Sequence, residues 1–338
     1  MANDLVLVTG GAGYVGTHLT RQLLENGCRV RVLDKFLYGD HGLADVRHHP
    51  RLEVQIGDVC NLRDVAHAVQ GARAVVALAA LVGDPACEVD PREALIVNFE
   101  STRSLLDASR AAGIERFVFA SSCSVYGANG HELLHEDSHL NPVSLYARTR
   151  IMSEEVLLQE CGPVEVIILR LSTVCGVSSR MRFDLMVNAI TAHAVMDQRV
   201  HITGVDQWRP HLHVQDAAAA FALAVRAPAG VARGGIFNVG HESQNFTIGE
   251  IAEKVVRTLP DTVVEYANGT GDRRSYRVSF ARIRETLGFV PKFTVDDAIA
   301  EVRSVLAAGG IPDYQDEVYH NVKWLRRAKS VRQCAATL

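Results

Sequence analysis

The stretch LVLVTGGAGYVGTHLTRQLLENG, residues 5 to 27, decides the fold. Residues 5 to 10 form a short apolar run closed by glycine, the pattern of a buried strand. Residues 16 to 27 carry Leu19, Leu23 and Leu24 on one helical face, and Gly27 suits the helix C-terminus. Between them Gly10, Gly13 and Gly16 recur every third residue, with Tyr14 and Val15 inside the loop. Gly10 permits the tight turn, Gly13 lets backbone approach a pyrophosphate, and Gly16 lets helix and strand pack closely. The following helix N-terminus then faces the phosphates. Strand, loop and helix together predict a dinucleotide site.

Further apolar runs at 29 to 34, 53 to 58, 74 to 80, 116 to 122, 165 to 172 and 236 to 240 alternate with helical patterns, including 92 to 112 and 144 to 160. Such alternation predicts an α/β, Rossmann-type doubly wound parallel sheet. Residues 1–172, with 212–240 packing back on them, are expected to form the dinucleotide domain. Residues 173–211 and 241–338 are expected to form a smaller lobe over the carboxyl edge, with helices near 182 to 197, 247 to 258 and 294 to 307. Asp34 ends the second strand, where a carboxylate binds ribose hydroxyls and repels a 2′-phosphate, which favours NAD over NADP. Lys35 beside it weakens that preference. Asp58, followed by Val59, suits either the adenine end of the cofactor or the N-cap of the next helix.

Composition narrows the classes. The chain has 338 residues, is 48% hydrophobic and carries a net charge of -4. That supports a large core and supplies no basic surplus for nucleic acid or membrane. Seven cysteines without a CxxC pair predict reduced thiols, and scattered histidines predict no metal. The absence of a signal peptide or a span of about 20 apolar residues predicts a cytoplasmic protein.

Several segments resemble the extended short-chain dehydrogenase/reductase superfamily, in its nucleotide-sugar epimerase/dehydratase branch. These are ALAALVGDP (77 to 85), VNFESTRSLLDASRAAGIERFVFASSCSVYG (97 to 127), NPVSLYARTR (141 to 150), WRPHLHVQDAAAAF (208 to 221) and GDRRSYRVSFARIRETLGFVP (271 to 291). The resemblance implies a tyrosine base, Tyr146, and a hydroxyl partner, Ser122. It implies cofactor contacts at Leu78, Ala79, Ala80, Asn98 and Ser121 besides the glycine loop. It implies substrate contacts at Val82, Cys123, Ser124 and Thr173, and a diphosphate held by Arg209. The family's usual arginine before GD (271 to 272) is absent, so Arg274 or Arg273 is the candidate to close over the phosphates, and Arg182 in RMRFD is a further candidate for the substrate. A homodimer through the 92 to 112 and 144 to 160 helices is also implied.

The chain departs from that pattern at several points. Arg150 stands where the family has the lysine that lowers the pKa of the tyrosine. Arginine keeps a permanent charge but does not release a proton at working pH. Cys123 and Ser124 replace the acidic pair of the dehydratases, which argues against 4,6-dehydration. The leading expectation is a 4-epimerase acting through a transient 4-keto sugar with tightly held NAD. A 4-ketoreductase consuming free NADH or NADPH uses the same residues, and Arg150 motivates a third reading as a non-catalytic NAD-binding protein.

Overall fold

The computed structural model describes residues 4–267 and 274–336. Arg273 therefore lies outside the described residues. Seven parallel strands form the central sheet in the order Gly235–Val239, Glu165–Leu171, Arg116–Ser122, Ala74–Ala77, Leu5–Thr9, Arg29–Asp34 and Leu52–Ile56. The chain order reverses between Leu5–Thr9 and Ala74–Ala77, which opens a crevice at their carboxyl ends. The first strand is buried throughout, because helices cover both faces of the sheet. Val6 and Val8 face one side, with Leu19, Leu23, Phe221 and Val225. Leu5 and Leu7 face the other, with Val65, Leu105, Leu106 and Leu157. Each such aliphatic side chain contributes about 1.5–3 kcal/mol by leaving water.

Residues 212–240 supply the helix Val214–Arg226 and the edge strand Gly235–Val239. Arg116 holds this return in place: its guanidinium pairs with Glu165 at 2.6 Å and donates to the carbonyls of Ala224, Val225 and Ala227 at the helix end.

The helix expected over 92 to 112 is in fact three pieces. Pro91–Leu95 and Ser101–Ala111 are α-helical, and Ile96–Glu100 between them is a wider π turn. A π turn breaks the regular backbone ladder, and here the carbonyl of Asn98 gains side-chain donors. Ser153, Thr102 and Arg150 donate to it at 3.0, 3.0 and 3.3 Å.

The smaller lobe has its own apolar centre, built from the helices Met186–Met196, Ile248–Thr258 and Val295–Ala307. Reciprocal caps start the last two, Thr247 with Glu250 and Thr294 with Asp297. A three-stranded sheet of Asn245–Thr247, Trp208–His213 and Thr173–Cys175 leads from the lobe to the main sheet. A C-terminal helix, Asn321–Ala336, for which the periodicity offered no expectation, closes the chain. Among the described residues no helix is long and apolar enough to cross a membrane, and no group of three or more His, Cys, Asp or Glu could hold a metal.

Candidate active site

A cleft of about 530 Å³ lies along the carboxyl ends of the strands. At one end Gly10 turns with φ +74, and a Cβ there would sit 2.8 Å from the Ala79 amide nitrogen. A Cβ on Gly16 would collide with the Gly10 carbonyl and sit 2.8 Å from the Gly11 Cα. The loop is thus a bare backbone cradle closed against the next helix, whose first turn carries no acidic residue. Such a cradle fits a pyrophosphate. Gly10, Gly13, Tyr14, Val15 and Gly16 all line the cleft. The Tyr14 hydroxyl is turned away, donating to the Gly176 carbonyl at 2.6 Å and so tying the loop to the smaller lobe.

Asp34 lines the cleft beside the glycine loop. Its two carboxylate oxygens accept from the amides of Ala12 (3.0 Å) and Phe36 (2.8 Å). Burial pushes its pKa above the usual carboxylate range, and those two amides oppose the shift. Lys35, beside Asp34, pairs with Asp58 at 3.3 Å. Asp58 accepts from the Cys60 amide and lines the cleft with Val59, while Asn61 caps the next helix by accepting from Arg63. The N-cap role open for Asp58 in the sequence therefore falls to Asn61.

Leu78, Ala79, Ala80 and Val82 line the floor. Asn98 does not reach the cleft. Its side-chain oxygen accepts from the Leu81 amide at 2.8 Å and its nitrogen donates to the Leu81 carbonyl at 3.0 Å. It holds the floor loop from behind. Ser121 lines the cleft, but its hydroxyl donates to buried Glu154, which in turn pairs with Arg170 at 2.6 Å.

Tyr146 lies on the helix Leu145–Glu160, whose N-cap Ser144 accepts from the Ala147 amide. The phenol faces the cleft with Ser122, the last residue of its strand. The Ser122 oxygen accepts from the Ser124 amide at 3.1 Å, which leaves its proton to donate elsewhere. Burial pushes the Tyr146 pKa up, and the Arg150 guanidinium pulls it back. Arg150 is 2% exposed, with its guanidinium carbon 5.3 Å from the Tyr146 ring centroid and 5.2 Å from that of Phe119. It donates to the carbonyls of Ala120 (3.2 Å) and Asn98 (3.3 Å). The substituted arginine is therefore a buried cation beneath the tyrosine, and the π turn supplies one of the carbonyls that seat it. Ser124 lines the cleft with a buried hydroxyl that has no hydrogen-bond partner.

The opposite wall is cationic. Thr173, Arg182, Arg209 and Arg274 line it. Arg182 is held by Asp184 through two contacts of 2.9 Å, and that partner more than offsets the effect of burial on its charge. Arg209 donates to the carbonyls of Trp208 and Arg274, with its guanidinium 5.6 Å from the Tyr276 ring centroid. Arg274 pairs with Asp84 at 3.3 Å. Cys123 is not on this surface. It is fully buried, donates to the Arg170 carbonyl at 3.3 Å, and burial pushes its thiol pKa far up. The substrate contact expected at Cys123 is therefore not supported, because the side chain does not line the cleft.

Sequence reasoning missed Tyr38, Asp84, Arg180, Asp184, Tyr276, Asn321 and Val322, all on the cleft wall. Arg180 sits two residues from Arg182 in RMRFD, a doubling that was the available signal. It packs 3.9 Å over the Tyr38 ring, and burial and then Arg182 push it down to about 10.

Comparison with known proteins agrees with this geometry. The family described as "NAD dependent epimerase/dehydratase family" matches residues 6–240, more than half of the chain. A UDP-glucose 4-epimerase of Rhizobium leguminosarum bv. trifolii is 30% identical over 323 residues, covering 88% of this chain and 96% of that protein. A 3-beta-hydroxysteroid dehydrogenase of Mycolicibacterium neoaurum is 28% identical, covering 88% and 89%. The structure of MoeE5 in complex with UDP-glucuronic acid and NAD superposes with a TM-score of 0.78 at 27% identity, covering 90% of this chain and 99% of that one. The glycine cradle, Asp34 and the Tyr146–Ser122 wall fit NAD. The chain belongs to the NAD-dependent epimerase/dehydratase family, and NAD is its cofactor.

Proposed function

We propose that the chain is a nucleotide-sugar 4-epimerase working through a transient 4-keto sugar. One observation carries the reading. A single cleft joins the dinucleotide cradle and the Tyr146–Ser122 pair to a wall holding Arg182, Arg209 and Arg274. A diphosphate needs such cations, and arginine forks suit its oxygens. The relatives' names and the UDP-sugar in the MoeE5 complex support the same substrate class.

NAD, when bound, supplies a reversible acceptor for the carbon-bound hydrogen. The side chains move and hold the proton. Tyr146 takes the proton of the 4-hydroxyl, a base role that its high pKa opposes and buried Arg150 assists. Ser122, its oxygen already accepting from a backbone amide, donates to the same sugar oxygen. The arginines hold the diphosphate while the sugar turns over. Because the base returns the same proton, no net acid or base is consumed. Ser124 offers the sugar a further hydroxyl.

A second reading has one observation behind it. Leu81, Pro85, Ala86, Leu185 and Met186 give the cleft an apolar stretch, and a hydroxysteroid dehydrogenase is among the relatives. Incubating the purified protein with UDP- and dTDP-hexoses, and separately with 3β-hydroxysteroids, decides between them. Interconversion of 4-epimers without added NADH is expected. NADH consumption with a 4-keto nucleotide sugar, and no interconversion of the hexoses, would replace epimerase by 4-ketoreductase, and steroid-dependent NAD reduction would establish the second reading. We further propose a homodimer through the 92 to 112 segment and the helix Leu145–Glu160, supported by half-buried Phe99, Met152 and Val156. Light scattering checks it.

A further inference from the structure

The helix Asn321–Ala336 lies beyond the span matched by the family, residues 6–240, yet its first turn reaches the cleft. Asn321 and Val322 line the cavity together with Tyr38, Val82, Arg180 and Asp184. Asn321 is 4% exposed and joins two rims. Its side-chain nitrogen donates to the Val82 carbonyl at 3.4 Å, on the floor loop of the main sheet. Its side-chain oxygen accepts from Arg180 at 2.6 Å, and its amide donates to Asp184 at 3.3 Å, both on the smaller lobe.

The rest of the helix extends this bridge in both directions. The Trp324 ring lies 6.2 Å from that of Tyr38, on the loop that follows Asp34. Leu325 packs in the cluster of Leu81, Ala86, Cys87, Val97 and Tyr146. Lys329 ties the far end to Asp90 at 3.1 Å and to the Val89 carbonyl at 3.1 Å. One helix therefore touches the adenosine end, the floor loop and the surroundings of the catalytic tyrosine.

We infer that this helix is a strap that holds the cleft closed over bound NAD, with Asn321 as the positioning residue that pins it to both rims. An extended dinucleotide lying between the glycine cradle and Tyr146 must pass this strap to leave. Retention of this kind suits an enzyme that reuses one cofactor, and it is wasteful for a reductase that exchanges cofactor at every turnover. The inference rests on the NAD site and not on epimerisation. Cofactor release is read without any sugar, so the two proposals fail separately.

The test follows release of bound NAD from the full-length protein into an excess of isotope-labelled NAD, by mass spectrometry. Asn321→Ala removes the bond from charged Arg180 as well as the bond to Val82, and release is expected to quicken roughly 10-fold or more. Trp324→Ala should quicken it less. Asn321→Asp keeps the acceptor for Arg180 and should restore much of the retention. Release rates unchanged in Asn321→Ala and Trp324→Ala overturn the strap. Amide hydrogen exchange of the unmodified protein gives an independent check if a variant fails to fold. Residues 321–330 are expected to gain protection when NAD is bound, and equal exchange with and without NAD also overturns the inference.

Discussion

The two ends of the cleft are built in opposite ways. The cofactor end is local. Residues 10–16 are contiguous, and their function lies in bare backbone, with Gly10 and Gly16 too crowded for any side chain. The substrate end is assembled from distant segments. Ser122, Tyr146, Arg182, Arg209 and Arg274 reach one space from two strands, a helix and two loops. Backbone cradles tolerate little change in residue type. Assembled side-chain walls can be re-specified one residue at a time, and Ser124 and Arg150, which both line the cleft, are where this chain differs from its family's pattern. The lesson is that cofactor identity is fixed by local geometry, whereas the substrate is fixed by contacts that no short motif contains.

The sharpest way to break the comparison is at Tyr146. Tyr146→Phe keeps the ring over Arg150 and removes the phenol oxygen proposed to take the proton. Loss of general-base assistance costs about 10²–10⁴-fold, so turnover should fall by that factor while NAD content stays near that of the parent. Initial rates on the active sugar and released NAD measure both. Substantial residual turnover would move the base elsewhere in the cleft.

Gly16→Ala attacks the other end. The added methyl meets the Gly10 carbonyl and the Gly11 backbone, neither of which can rotate away. Overpacking of this kind costs about 1–3 kcal/mol. NAD affinity should drop at least tenfold, seen by calorimetry, together with a lower unfolding temperature. If NAD binds normally, the cradle is looser than its contacts imply.

The same contrast explains what could be read from the sequence. Strand, glycine loop and helix form a local pattern, so the seven sheet strands were legible, and Asp34 was placed at the end of the second of them. The π turn at Ile96–Glu100 was not, because its cause is tertiary: side chains of Arg150 and Ser153 reach across to the Asn98 carbonyl. Asn98 itself was placed on the cofactor and instead holds the Leu81 loop. The role of Cys123 was misread because a motif gives position along the chain and not the direction a side chain points. Asn321 was invisible because its partners, Val82, Arg180 and Asp184, are distant in the chain.

Arg209→Lys tests the cationic wall with a smaller expected effect. Lysine keeps the charge and loses the planar guanidinium, one terminal nitrogen of which bonds both the Trp208 and Arg274 carbonyls. The KM for the nucleotide sugar should rise about tenfold with kcat changed by a few-fold at most, the signature of lost uniform binding. A fall in kcat alone would mean that Arg209 acts on the sugar and not on the diphosphate.

The smallest effect is expected at Arg150, and it is the most informative about the chemistry. Burial raises the Tyr146 pKa and the guanidinium lowers it, so the rate should rise with pH as the phenol loses its proton. Removing the cation in Arg150→Met takes away the largest opposition to burial and leaves only the weaker pull of Arg182, so the rising limb of the pH–rate profile must move to higher pH. Arg150→Lys restores a cation but gives up the fork that seats it on the carbonyls of Ala120 and Asn98. It should keep turnover within a few-fold and leave the limb near its original place. If instead the methionine variant keeps the parent profile, the charge does not reach the phenol. Arg150 would then be a brace between the π turn and the strand Arg116–Ser122, and bound cofactor would be left as the source of the positive charge that tunes the tyrosine.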